Sequence, residues 1–182
     1  YGVPERVSAS DLKIIRDSTL TGGRRVNAWA KGRHIYFAMK FSKPFAQARI
    51  VSEGKIMDEA TRQASGRSLK SLLHFKTAAG EVIYVKVGLS AVSVEGAMKN
   101  LGAEIPGWDF DQVAAKARET WKKELSRAAV ETTDEKRRQV FYTALYHTLL
   151  APTLFDDVDG QYRGMDNEVH RLAGTEHNYS TF

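Results

Sequence analysis

Between Asp156 and Asp166 the chain concentrates four carboxylates, a tyrosine and an arginine within eleven positions: Asp156, Asp157, Asp159, Tyr162, Arg163 and Asp166. Such a set can do three kinds of work. Carboxylates beside an aromatic ring can line a polar pocket and hydrogen-bond hydroxyl-rich ligands. Clustered carboxylates can bind a hard cation, and Asp-Gly can simply turn the backbone. Asp157, Asp159 and Gly160 superficially resemble a calcium loop, but the spacing fails. Phe155 stands five positions before Gly160, and no Glu closes a twelve-residue loop. The turn is the plainer reading, with a pocket wall second and direct ligation third.

Other candidates are sparse. His147 can be a base or a ligand, but a core histidine bonded to a backbone carbonyl is the blander assignment. His170 and His177 bracket a glycine-containing loop and are expected at the surface. No His-Glu-x-x-His, Gly-rich phosphate loop or Gly-x-Ser-x-Gly elbow occurs. Trp121 is expected in a core and Trp108 at the start of a helix. Trp29, before a strand, can stack on a sugar ring or pack at the strand end.

The acidic loop must be delivered by what precedes it. Val140, Phe141, Tyr142, Ala144, Leu145, Tyr146, Leu149 and Leu150 predict a helix over about 133–150 that is apolar on nearly every side and broken by Pro152. Such a helix needs cover from all directions, which the residues around it do not supply. The expectation is therefore a piece of a larger fold or one part of a complex. Two further helices are predicted. Ser93 caps one with Val94, Ala97, Met98 and Leu101 on a stripe; Asp109 with Gln112 opens another through Trp121 and Leu125. Thr132 with Glu135 is the expected capping box of the third.

Before residue 92 the chain reads as β. Ile35, Phe37, Met39 and Phe41 alternate on one face, and Pro44 ends that strand. Residues 69–75 and 82–89, joined by Ala78-Ala79-Gly80, predict an antiparallel hairpin, and 53–66 a connecting loop. Strands followed by helices indicate an α+β multidomain class rather than alternating βαβ units.

Composition narrows the classes further. A hydrophobic fraction of 42% with 27% charged residues is that of a globular protein. The net charge of +5 is modest, and Lys122-Lys123 and Lys136-Arg137-Arg138 lie on predicted helices with Glu nearby, so a nucleic-acid partner is not expected. No run approaches the ~18 apolar residues of a membrane span. The absence of cysteine removes disulfides, thiolate metal sites and cysteine nucleophiles.

Several segments, in order, resemble glycoside hydrolase family 92. They are Asn27-Ala-Trp-Ala-Lys31, Ile35–Phe45, Lys86–Leu101, Ala103–Phe110, Trp121–Leu125, Phe141–His147, Asp157–Asp166 and Tyr179-Ser-Thr-Phe182. The family consists of exo-acting α-mannosidases, many of them α-1,2-mannosidases, with an N-terminal β-sandwich, linker helices and an (α/α)6 barrel. The resemblance implies that residues 1–91 are the end of the sandwich, 92–131 the linkers, and 132–182 the first helix and loop of a truncated catalytic barrel. It implies calcium dependence and inversion, which needs an acid and a base ~6.5–9.5 Å apart. Those groups, and the calcium ligands, come from later in the family's barrel, so no catalytic or metal-binding residue is assigned here and the chain alone is expected to be inactive.

Asp157, Asp159, Tyr162 and Asp166 are the expected substrate-binding residues, as a wall near a mannose pocket. The implied partners are a mannose-containing glycan, N-glycans included, and the remainder of the catalytic domain covering helix 133–150. A bacterial periplasmic or extracellular location follows from the same resemblance. The alternative is a non-catalytic carbohydrate-binding β-sandwich module.

Overall fold

In the first strand, Leu12 and Ile14 are buried while the alternating Asp11 and Lys13 are exposed. That period of two sets one apolar face against a second layer. The structure, a computed structural model, describes residues 6–27 and 31–180; Trp29 lies outside them. Eight strands precede the helices: β1 (Arg6–Ile15), β2 (Thr19–Asn27), β3 (Arg33–Phe41), β4 (Gln47–Ser52), β5 (Lys55–Ile56), β6 (Gln63–Gly66), β7 (Leu69–His74) and β8 (Val85–Ser90). They form a five-stranded sheet in the order β6-β1-β2-β3-β8 and a three-stranded sheet β5-β4-β7. The two pack as a β-sandwich whose core holds Leu12, Ile14, Leu20, Phe41, Phe45, Ala48 and Ile50. Phe41, Phe45 and Phe75 meet ring to ring at 5.5–5.8 Å.

The expected hairpin over 69–89 does not form. β7 pairs with β4 and β8 with β3, in different sheets. The turn itself exists, with Gly80 at φ +76° and Glu81 accepting from the Ala78 N–H. It reverses a connection that crosses between the layers. Ser42 then pins Tyr84 by two hydrogen bonds of 2.9 Å, and β8 starts only at Val85. Turn chemistry signals a reversal, but strand partners are chosen by burial at long range. The stretch 53–66 also carries two strands, β5 and β6, too short to read from alternation.

Helix α1 (Val94–Glu104) begins at Ser93, whose side chain accepts from Gly96 N–H. It lies on the outer face of the large sheet, where Ala38, Ala97 and Leu101 form a second small core. The Lys86 ammonium donates to the carbonyls of Ile105, Pro106 and Gly107 at the end of α1, and sits 4.6 Å from the Trp108 ring centroid. A cation there complements the helix terminus. Trp108 thus covers the cation at the end of α1 and stands one residue before Asp109, the N-cap of the next helix.

The chain divides into two compact units, residues 1–108 with 156–176 and residues 109–155 with 177–182. The second holds α2 (Phe110–Leu125), α3 (Glu135–Thr148) and the paired strands β9 (Thr153–Leu154) and β12 (Tyr179–Ser180). Asp109 caps α2 through Gln112 N–H. The cap of α3 is Asp134, accepting from Arg137 N–H at 3.1 Å, while Thr132 bonds Asp134 N–H instead. An Asp two residues on outcompetes the threonine as cap. Trp121 meets Tyr146 edge to face at 4.5 Å. No residue of α2 or α3 is fully buried, and Val140 is 62% exposed.

Because Ile50 is wholly buried between the sheets, Ile50→Ala should cost about 2–5 kcal/mol in urea unfolding. Val140→Ala, on an open surface, should cost less than about 1 kcal/mol in the same measurement.

Candidate functional site

The acidic stretch folds as a tight turn and a hairpin. Asp157 O accepts from Gly160 N–H at 2.7 Å, and Asp157 N–H donates to Gln161 O at 2.8 Å. Gly160 takes φ +78°, a conformation that costs other residues strain. The turn feeds β10 (Gln161–Arg163), which pairs with β11 (Val169–Arg171). All of it belongs to the same compact unit as the sandwich and α1.

Asp157 is 4% exposed. Its Oδ2 accepts from Ser90 Oγ at 2.7 Å and its Oδ1 from Asn100 Nδ2 at 2.8 Å. Asn100 is saturated as well: its Nδ2 also donates to Leu89 O, and its Oδ1 accepts from Val158 N–H at 2.9 Å. Gly96 makes the approach possible, since a Cβ there would collide with Asp157 Oδ2. One carboxylate therefore joins the end of β8, the inner face of α1 and the turn before β10.

Arg163 grips the same junction from the other side. Its Nε donates to Ala91 O at 2.8 Å, its Nη2 to Val92 O at 3.2 Å and its Nη1 to Asn167 O at 2.6 Å. Ser90 Oγ accepts from Val92 N–H and Ser93 N–H. In the link between the last sandwich strand and α1, the carbonyls of Ala91 and Val92 and the N–H groups of Val92 and Ser93 are thus satisfied.

The remaining expected residues lie along the hairpin. Asp159 is ion-paired with Lys99 at 2.7 Å and accepts from Gln161 Nε2 at 2.9 Å. These donors, Lys99 first, lower its pKa to about 2. Asp166 accepts from Glu168 N–H at 3.0 Å and meets His170 Nε2 at 2.8 Å; both bonds, the backbone one first, hold its carboxyl below the usual range. Tyr162 lies opposite His170 in the ladder, their rings 5.5 Å apart. The turn and hairpin bring Asp157, Asp159, Tyr162 and Asp166 into one segment, but each carboxylate is already engaged by the chain's own donors.

His147, expected in a core, is exposed on α3 with its ring 5.8 Å from that of Tyr146. Among the described residues no three His, Cys, Asp or Glu side chains gather as a metal site. Sequence reasoning missed Ser90, Gly96 and Asn100. Two signals were available: a glycine inside a helix, which has a packing reason more often than not, and an asparagine on the stripe otherwise occupied by Ala97 and Leu101.

The model of the glycosyl hydrolase family 92 N-terminal domain matches residues 2–90, and that of the family's catalytic domain matches residues 96–182. A family GH92 α-mannosidase structure from Bacteroides thetaiotaomicron, also solved with mannoimidazole, is 38% identical over 96% of this chain with a TM-score of 0.89. A family GH92 inverting mannosidase from the same organism is 25% identical over 97% of this chain with a TM-score of 0.85. This chain spans 24% of each of the two proteins. A protein of Arthroderma benhamiae described as an uncharacterized secreted glycosidase is 31% identical over 74 residues, 38% of this chain and 10% of that one.

Replacing Asp157 by Ala leaves Ser90 and Asn100 with buried unpaired donors, and should destabilise the chain by about 2–4 kcal/mol in urea unfolding. Gly96→Ala should have a comparable effect through the clash. Asp159 acts through acid. Its folded pKa of about 2 lies below its ordinary 3.8, so its contribution is complete above the ordinary value and lost as pH falls through about 2. Asp159→Asn should flatten the decline of stability between those two values, read by urea unfolding at each pH.

Proposed function

Since the chain belongs to glycosyl hydrolase family 92, we propose that it is part of a longer calcium-dependent, inverting exo-α-mannosidase acting on α-mannosidic, chiefly α-1,2, linkages of glycans. The observation that carries this is the ordered match of both family domain models across nearly all of the chain. The fold agreement with a GH92 α-mannosidase supports it.

Inversion requires a carboxylic acid that holds a proton near neutral pH and a carboxylate that activates water. The carboxylates of the hairpin are poorly suited to the first role. Asp159 titrates at about 2, and Asp166 is also lowered, so both are ionised at neutral pH. Asp157 is enclosed by Ser90 and Asn100. On this reading the acid and base belong to polypeptide outside this chain, which alone is inactive.

The residues present do not fit a calcium cage either. A calcium site takes six to eight oxygens, whereas the oxygens of Asp157, Asp159 and Asp166 accept from side chains and N–H groups of the chain itself. On this reading the calcium ligands belong to another part of the enzyme.

The hairpin's part is to border the mannose pocket. Tyr162 and Asp166 supply a ring and a carboxylate at its surface, while Asp157 and Asp159 hold it in position. The exposed helix α3 is covered by the rest of the catalytic domain. Export from the cell, to a bacterial periplasm or outside it, is part of the same reading, and the secreted description of the Arthroderma relative supports export as such. No helix among the described residues is long and apolar enough to cross a membrane.

The test compares the purified 182-residue chain with the full-length enzyme on an α-1,2-linked mannobiose. The full-length enzyme should release mannose and lose activity on calcium chelation; the chain should release none. Release by the chain alone, or no release by the full-length enzyme on any α-mannoside, overturns the reading.

A further inference from the structure

The two faces of the β10–β11 hairpin are used differently. Arg163 turns toward the sandwich and binds the carbonyls of Ala91 and Val92. Gln161, two positions before it, lies on the same face and bonds Asp159. Tyr162, between them, projects to the opposite face, and its ladder partner His170 projects with it. Their rings lie 5.5 Å apart at 33°.

On that second face the imidazole of His170 is held in one orientation. Its Nε2 stands 2.8 Å from Asp166 Oδ2. Glu168 N–H, donating to Asp166 Oδ1 at 3.0 Å, fixes the carboxylate, which is ionised at neutral pH. An ionised carboxylate only accepts, so in the neutral ring the proton sits on Nε2. Nδ1 then carries a lone pair and has no partner among the described residues, on a side chain that is 42% exposed. Gly164 preserves this arrangement. A Cβ there would lie 2.5 Å from Asp166 Oδ1 and 2.9 Å from His170 Nε2. So exposed a pair adds little stability. What the turn, the glycine and the carboxylate achieve together is an acceptor of fixed direction beside an aromatic ring.

We infer that Nδ1 of His170 accepts a hydrogen bond from a hydroxyl of the mannose-containing substrate, whose apolar C–H face rests on Tyr162, and that Asp166 is a positioning residue acting through His170. The inference rests on the reading of the hairpin as a border of the mannose pocket. The local chemistry selects a hydroxyl over other ligands. An anion would meet the charges of Asp166 and Glu168. A metal ion finds no three ligating side chains gathered among the described residues. An apolar ligand would leave Nδ1 unpaired. A sugar supplies both the hydroxyl donor and the apolar face that this pair of side chains can take.

Two amide replacements in the full-length enzyme test it, with an α-1,2-linked mannobiose as substrate. A glutamine amide reaches the place of Nε2, so His170→Gln can keep the bond to Asp166 while losing the outward acceptor. An asparagine amide stands at the place of Nδ1, so His170→Asn keeps the acceptor and loses that bond. His170→Gln should raise KM about fivefold with kcat unchanged, as expected for one lost neutral hydrogen bond. His170→Asn should stay within about twofold of the unaltered enzyme in KM. Both should unfold at the unaltered enzyme's urea midpoint, because the side chain is exposed. An unchanged KM in His170→Gln, an equal rise in both variants, or a fall in kcat alone overturns the inference and leaves the functional reading standing. An unaltered enzyme that cleaves no α-mannoside overturns the functional reading, and this inference with it.

Discussion

One buried carboxylate sets the local architecture. Asp157 is nearly inaccessible, and a carboxylate in that position is tolerated only because donors surround it. Ser90 and Asn100 supply them, from the end of β8 and the inner face of α1. Three segments far apart in sequence must therefore meet at one point. Removing Asp157 would take an acceptor from both Ser90 and Asn100, and removing either of those would strip one buried carboxylate oxygen of its donor. That asymmetry, in which an unmade hydrogen bond costs more than a made one gains, is what enforces the junction.

The close approach at this junction depends on small residues. Gly96 leaves space for Asp157, and Gly88 leaves space for the α1 backbone. Ala38 and Ala97, both fully buried, continue the same thin layer. Arg163 completes it by binding the carbonyls of Ala91 and Val92, which no strand or helix would otherwise satisfy. The hairpin from Gln161 to Arg171 is thereby fastened to the sandwich by side chains from both its turn and its first strand. Although the catalytic-domain match includes residues 156–176, they are packed with the sandwich.

The sequence made some of this readable and hid the rest for definite reasons. Alternation over 33–41 was visible because one face of β3 carries the large apolar side chains of the sandwich core. The helix starts at Ser93 and Asp109 were visible because capping is a local interaction of three residues. The pairing of β7 with β4 was not, since it is decided by burial between layers and not by the Ala78–Gly80 turn. The acidic loop was conspicuous for its composition, but its partners were not. Ser90 and Asn100 lie 67 and 57 positions away from Asp157, and nothing in a single sequence links them. The resemblance to the family was legible as ordered short motifs, because a shared fold preserves the order of its junctions even where each motif is weak.

The carboxylates bear differently on structure and on chemistry. A proton donor for glycoside hydrolysis needs an environment that disfavours its charge. The hairpin does the reverse: Lys99 and Gln161 stabilise the charge on Asp159, while Glu168 N–H and His170 stabilise that on Asp166. The same donors that fix the turn make these groups unfit as acids, so rigidity and proton transfer cannot reside in the same side chains here. The acidic loop is occupied in holding a strand, a helix and a hairpin together.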